Sequence, residues 1–250
     1  GPGVDPHLFK PGQADIQHLQ KADIIFYSGL HLEGRMIEIM ERLQRQGRRV
    51  YEFAAALPES QIIQADGQPD PHIWGDASQW ALAAQMAGEK LAKALPDKAS
   101  AIRERTAAAV KNLTEAHTRL TAAAQTIPQA QRVLITSHDA FRYFGRAYGF
   151  EVVGVQGIST VSEAALADMA RIGDLVRRRG VKAVFVESSV SPSTIERLSR
   201  DTGAKIGGEL FSDALGKPGD MLTVGGRSVD RGTVAGMLEA NMHTIVEALK

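Results

Sequence analysis

No cysteine occurs in the chain, which excludes disulfides, zinc–thiolate sites and thiol nucleophiles while saying little about compartment. Net charge is also absent, because 29 basic residues balance 29 acidic ones. With no basic stripe on any segment, nucleic acid is not expected as a partner. No run of about 18 consecutive apolar residues is present, so no segment reads as a membrane-spanning helix. A signal peptide is missing from the sequence as given. It starts at Gly1-Pro2-Gly3, as a processed or trimmed start would. What remains is the composition of an ordinary globular protein, 44% apolar and 23% charged over 250 residues, enough for a large core in one domain or two.

Against these absences, one tripeptide occurs twice: Asp5-Pro6-His7 and Asp70-Pro71-His72, the second running into Ile73-Trp74. A third histidine stands in Thr136-Ser137-His138-Asp139, and an isolated aspartate in Leu210-Phe211-Ser212-Asp213. One Asp-Pro-His alone is a turn signal, because proline drives the preceding residue out of the α region. Two copies, with His138 directly after an apolar strand, point to metal instead. Three imidazoles and one carboxylate are a ligand set for a divalent cation such as Zn(II) or Mn(II). The four residues lie far apart in sequence, so only a fold can bring them together.

Hydrophobic periodicity predicts an α/β chain. A short helix over 14–22, a strand over 23–28, a helix over 33–46 stopped by Gly47 and a strand over 50–53 open the sequence. Residues 54–71 read as a polar loop that delivers His72. A helix is expected over 76–95, then, after Pro96-Asp97, a very long one over 98–125. At 1.5 Å per residue that helix spans about 40 Å, long enough to connect two lobes. The alternation then resumes with a strand over 132–136, helix 140–148, strand 151–155, helix 162–179, strand 181–186, helix 191–202 and strand 205–210. A Gly-rich stretch over 216–226 precedes a last helix over 231–249. The expected domains are an α/β lobe over 1–96, a connecting helix over 97–127 and a second α/β lobe over 128–250. Ligands of open parallel sheets bind beyond the carboxyl ends of the strands, where His138 and Asp213 fall.

The other candidates are weaker. His18, His117 and His243 lie inside expected helices and read as surface or core-edge residues. His31 follows Gly29-Leu30 and reads as structural. Glu187 ends a strand, as His138 nearly does, and is expected to orient a ligand from behind or to serve as a reserve ligand. Gly154-Val155-Gln156-Gly157 lacks the full dinucleotide-binding glycine spacing. Ser137, His138 and Asp139 are consecutive and cannot form a nucleophilic triad among themselves. The aromatic set Phe141, Tyr143, Phe144 and Tyr148 reads as packing.

Asp-Pro-His-Leu-Phe at 5–9, Gly-Leu-His-Leu-Glu at 29–33, Asp-Pro-His-Ile-Trp at 70–74 and Ser-His-Asp-Ala-Phe at 137–141 occur in this order. Phe-Val-Glu-Ser-Ser at 185–189 and Gly-Gly-Glu-Leu-Phe-Ser-Asp-Ala at 207–214 follow. Together they resemble the zinc- and manganese-binding solute-binding proteins of bacterial ABC transporters, TroA type, over essentially the whole chain. The resemblance implies two lobes, each a parallel sheet with flanking helices, joined by one long rigid helix, with the metal between them. Carried over by position, the ligands are His7 and His72 from the first lobe and His138 and Asp213 from the second, holding one Zn(II) or Mn(II) per chain as transported cargo. Several manganese-type relatives have glutamate in place of the third histidine, so His138 leans toward zinc or mixed specificity. The His-rich loop of many zinc carriers has no counterpart in 54–71. The strand-helix-strand unit that usually precedes the first Asp-Pro-His is also missing from the sequence as given.

The implied function is extracytoplasmic capture of the metal and delivery to the membrane permease of an ABC importer. The protein would act as a monomer, in the periplasm or attached outside the membrane by a lipid anchor, and not as an enzyme. Binding should weaken as the histidines protonate, near pH 6.5 if their pKa values are ordinary. The alternatives are a metal-dependent hydrolase with a three-His site and Asp213 or Glu187 as general base, or a metal-independent carrier of an organic ligand.

Overall fold

The computed structural model describes residues 2–65, 67–161 and 166–250. The chain opens with α1 (Gln13–Lys21), β1 (Ile25–Tyr27), α2 (Met36–Arg45) and β2 (Val50–Glu52). β1 and β2 pair in parallel, Ile25 opposite Val50 and Tyr27 opposite Glu52. Met40 and Leu43 on one face of α2 close over Ile25 and Val50, which is why the apolar positions of that helix recur at three- and four-residue intervals. Gly47 ends α2 in the left-handed region, φ 78°, and lets the Arg48 amide donate back to the Leu43 carbonyl, a glycine-terminated helix end.

Residues 54–71 are more ordered than the expected loop. Short 3-10 turns at Phe53–Ala56 and Glu59–Gln61 lead into a small antiparallel hairpin, β3 (Gln64–Ala65) with β4 (Gln68–Pro69). Two-residue strands carry no readable alternation, so sequence periodicity misses them. Asp76 then caps α3 (Ala77–Ala94), its carboxylate accepting from the Ser78 amide at 2.9 Å, as short acidic N-caps do. After the turn at Pro96–Lys98 comes α4 (Ala99–Gln125), 27 residues long. α3 and α4 pack closely where Gly88 meets Thr106; a Cβ on Gly88 would lie 2.1 Å from the Thr106 hydroxyl. Leu113, Ala116, Leu120 and Ala124 form the buried stripe of α4.

The second half contains β5 (Val133–Thr136), α5 (Arg142–Tyr148), β6 (Glu151–Gly154), α6 (Leu166–Arg179), β7 (Ala183–Glu187), α7 (Ser193–Thr202) and β8 (Lys205–Leu210). Of the helix expected over 162–179, residues 162–165 lie outside the described residues. β5 pairs in parallel with β6, and β7 with β8. β5 lies beside β7, so the two-stranded sheets β5–β6 and β7–β8 sit next to each other. Val133, Ile135 and Val184 face Ile172, Val176, Ile195 and Leu198 on one side. On the other side Leu134, Ala183 and Phe185 meet apolar residues of the helices behind the sheet. Burial on both faces explains why these strands are continuously apolar.

The Gly-rich stretch is a correction to the sequence reading. It holds an antiparallel hairpin, β9 (Met221–Val224) and β10 (Arg227–Asp230). Gly225 and Gly226 both have positive φ, 54° and 78°, as a two-residue hairpin turn of this hand requires. The last helix, α8 (Val234–Leu249), starts at Thr233, whose hydroxyl accepts from the Gly236 amide at 3.1 Å. Its Met237, Leu238, Met242 and Ile245 share one core with Leu120 and Ala124 of α4 and Phe144 of α5. The long helix is thus cemented along its second half into the same core as α8, which makes it a stiff connector between two lobes. Among the described residues no helix is long and apolar enough to cross a membrane.

Candidate metal centre

His7, His72, His138 and Asp213 each present a ligand atom, and all four atoms lie within 4.8 Å of one another. The His7 and His72 Nε2 atoms are 3.3 Å apart. His72 Nε2 lies 3.3 Å from Asp213 Oδ1, and His138 Nε2 lies 3.2 Å from Asp213 Oδ2. Metal–ligand bonds of about 2.0–2.1 Å in a tetrahedron put neighbouring ligands about 3.3 Å apart, so these separations match one shared cation. The His72, His138 and Asp213 side chains are fully buried, whereas His7 is half-buried.

Carboxylates fix two of the imidazoles from behind. Asp70 Oδ1 accepts from His72 twice, from Nδ1 at 2.7 Å and from the backbone amide at 3.0 Å. Glu187, at the carboxyl end of β7, lies 2.5 Å from His138 Nδ1 and accepts from the His138 amide at 2.8 Å. A proton held on Nδ1 leaves the Nε2 lone pair free and aimed inward, the arrangement of carboxylate-oriented metal histidines. Glu187 thus stands behind the His138 ring, at the strand end singled out in the sequence. Asp5 uses the same turn as Asp70 at the backbone, accepting from the His7 amide at 2.8 Å.

Asp213 follows β8 and is positioned by its neighbours. Asn241, buried on α8, clamps Phe211 by accepting from its amide at 2.9 Å and donating to its carbonyl at 2.7 Å. The Trp74 indole donates to the Ser212 carbonyl at 2.7 Å. His138, Glu187 and Asp213 thus stand at the carboxyl ends of β5, β7 and β8, where open parallel sheets place their ligands.

The charges explain each titration. Burial pushes the His72 pKa down, but the Asp213 and Asp70 carboxylates beside the ring outweigh it and hold the group up at about 9. His138 is raised well above 6.5, because Glu187 and Asp213 overcome its burial. His7 is pulled down to about 4 by burial, which outweighs the opposing pull of Asp213. Burial raises Asp213, yet the His138 and His72 rings overcome it and hold the carboxyl well below the usual range. Proton competition for the paired imidazoles therefore extends to the alkaline side of the ordinary histidine value. His138 Nε2 and both Asp213 oxygens are buried without a partner of hydrogen-bond geometry. Such atoms are rare in folded proteins, and a cation among them would satisfy all three.

The remaining histidines stay outside the centre. His117 on α4 sits 3.3 Å from Asp76 and against the Tyr148 ring; His31 is exposed with φ 68°. Asp139 pairs with Arg142 at 2.6 Å and takes no part in a triad. The four aromatics of 141–148 are buried as expected, and two also work through their hydroxyls. Tyr143 donates to the Asp70 carbonyl and accepts from the Ile63 amide, both at 3.0 Å, and Tyr148 accepts from the Ala77 amide at 3.2 Å. Sequence reasoning missed Asp5, Asp70, Trp74, Tyr143 and Asn241. Only the two aspartates carried a signal, an Asx residue two positions before each histidine.

The sequence profile of the family described as "zinc-uptake complex component A periplasmic" matches residues 1–248. A zinc-binding protein TroA from Treponema pallidum is 40% identical over 255 residues, covering 100% of this chain and 80% of the relative. The manganese-binding lipoprotein MntA of Bacillus subtilis is 39% identical over 257 residues, covering 100% and 81%. Among solved structures, the periplasmic zinc-binding protein TroA from Treponema pallidum superposes with a TM-score of 0.93 at 40% identity, covering 100% of this chain and 88% of the other.

Proposed function

The chain belongs to the family of the periplasmic zinc-uptake complex component A, and on that footing we propose that it captures one zinc or manganese ion outside the cytoplasm and delivers it to the permease of an ABC importer. The observation that carries this reading is the convergence of His7, His72, His138 and Asp213 within 4.8 Å. The first two come from the lobe that precedes α4 and the other two from the lobe that follows it. A cation held there bridges the lobes. Four protein ligands leave no open position for a reacting water, which favours carriage over catalysis. Nothing in the comparisons supports a hydrolase.

The family is one of transport proteins, and we infer that this chain has no enzymatic activity of its own. We read 1–96 and 128–250 as the two lobes and 97–127 as the connecting span, in a protein that acts as a monomer and binds no nucleic acid. The relatives named for zinc and for manganese are nearly equally similar, so either metal fits. Zinc is favoured by three neutral imidazoles. Attachment outside the membrane by a lipid anchor is compatible with the relatives named as lipoproteins.

Equilibrium dialysis against zinc and manganese in chelator buffers tests the reading. One metal per chain is expected for the wild type. His138→Ala should lose more affinity than the roughly 10- to 100-fold that removal of an outer partner costs. A wild type without stoichiometric metal would contradict it.

A further inference from the structure

The three imidazoles are not held alike. His72 and His138 each have a buried carboxylate on Nδ1, from Asp70 and Glu187 respectively. In both cases the carboxylate comes from the same lobe as the histidine, so each ring keeps its aim whatever the other lobe does. His7 has no such partner among the described residues. Its ring stands against two other rings, 5.4 Å from His72 and 5.9 Å from His138 between centroids, with the Asp213 carboxylate near by. What places His7 is its backbone, through Asp5.

Asp5 is a two-sided bridge. Oδ1 accepts from the His7 amide at 2.8 Å, and Oδ2 accepts from the Thr160 hydroxyl at 2.6 Å. Thr160 belongs to the second lobe, in the stretch that follows β6. The same loop is bonded to the residues on either side of His138: the Asp139 amide donates to the Gly157 carbonyl at 3.2 Å, and the Gln156 amide to the Ser137 carbonyl at 2.9 Å. Gly154 permits that approach, since a Cβ there would lie 2.5 Å from the Asp139 amide nitrogen. One loop therefore grips the His138 segment at one end and the His7 segment at the other.

We propose that Thr160 is a positioning residue for His7: through Asp5, its hydroxyl brings the His7 imidazole to the metal only when the lobes are together. This rests on the metal-carrier reading. It makes His7 the ligand that completes the centre last and leaves first. The cation is held by His72, His138 and Asp213 once it enters, and the Thr160–Asp5 bond closes the remaining side. Breaking that bond frees His7 without disturbing the other three. Valine at 160 keeps the shape and removes the donor, whereas serine keeps the donor.

The experiment measures zinc release into excess chelator by stopped flow for the wild type, Thr160→Val, Thr160→Ser and His7→Ala, and for Thr160→Val combined with His7→Ala. Thr160→Val is expected to release zinc about 10- to 100-fold faster, the usual cost of an outer-shell partner, with the melting temperature of the metal-free protein unchanged. Thr160→Ser should behave as wild type, and the double variant should release no faster than His7→Ala alone, because the hydroxyl acts through that ring. Wild-type release rates in Thr160→Val, or a full additional acceleration on the His7→Ala background, would overturn the proposal. Should Thr160→Val fail to fold, Asp5→Asn combined with His7→Ala provides the same comparison. A wild type that retains no zinc fails the carrier reading itself, a result distinct from either.

Discussion

The Trp74 indole N–H points at the Ser212 carbonyl, 2.7 Å away, joining the residue two past His72 to the residue just before Asp213. The same indole meets the His72 ring edge-on, with centroids 5.3 Å apart. One side chain therefore registers a ligand of one lobe against a ligand of the other. Trp74→Phe keeps an aromatic face, though a smaller one, and loses the donor. A neutral hydrogen bond of this kind is worth about 1 kcal/mol, so metal affinity should fall roughly fivefold. The chain has two tryptophans, Trp74 and Trp80, and metal addition should change the emission of the first. A fluorescence titration in which Trp74→Phe keeps the full metal-dependent signal would contradict this role.

Glu187 holds His138 by ring and backbone together. Glu187→Gln retains the shape but offers only one acceptor oxygen and no charge. Affinity should drop about 10- to 100-fold, as for other partners that orient metal ligands, without loss of the one-to-one stoichiometry. Competition with a chelating dye would measure it. A change in stoichiometry would instead make Glu187 a direct ligand.

The pH dependence has a defined sign. His72 is held up at about 9, and His138 is raised in the same direction. Their protonated forms stabilise the metal-free fold fully below the unfolded value of about 6.5, and that contribution is lost as pH rises through about 9. Metal takes the same Nε2 atoms, so binding must expel those protons. Affinity should rise from pH 6.5 to 9, and the thermal shift on adding zinc should grow over the same interval. His7, pulled down to about 4, is already neutral there and releases nothing. Calorimetry in buffers of different ionisation enthalpy counts the protons; none released at pH 7 would contradict the assignment.

Tyr143 ties the loop bearing His72 to α5, through the Asp70 carbonyl and the Ile63 amide. It is fully buried. Tyr143→Phe leaves both backbone groups unpaired in the interior, which costs about 1–3 kcal/mol. Urea unfolding should show that loss with an unchanged slope. Metal affinity should fall less than in Glu187→Gln, because the Asp70 carboxylate stays on His72.

Much of this was legible in the sequence where periodicity or repetition carried it. The apolar rows of α2, α3 and α4 predicted those helices, and Gly47 the end of one. The two Asp-Pro-His copies, with His138 after a strand, pointed to three of the four residues that converge in the structure, and the wider motif set identified the family. Periodicity could not reveal β3 and β4, because strands of two residues carry no alternation, and β9 and β10 fall in and beside the Gly-rich stretch over 216–226, which is not divided into strands at the sequence level. The outer partners were illegible for a different reason. Asn241, Trp74 and Thr160 act on residues 30, 138 and 155 positions away, and a hydrogen bond across such a separation leaves no local pattern.

The central claim is that His7, His72, His138 and Asp213 bind one and the same ion. X-ray absorption at the zinc edge of the loaded protein tests it most directly, on the wild type and on each single histidine-to-alanine variant. Three imidazole nitrogens and carboxylate oxygen at about 2.0–2.2 Å are expected, with one imidazole fewer in each variant. A wild-type spectrum with fewer than three imidazoles, or a ligand count indifferent to any of the three substitutions, would contradict it.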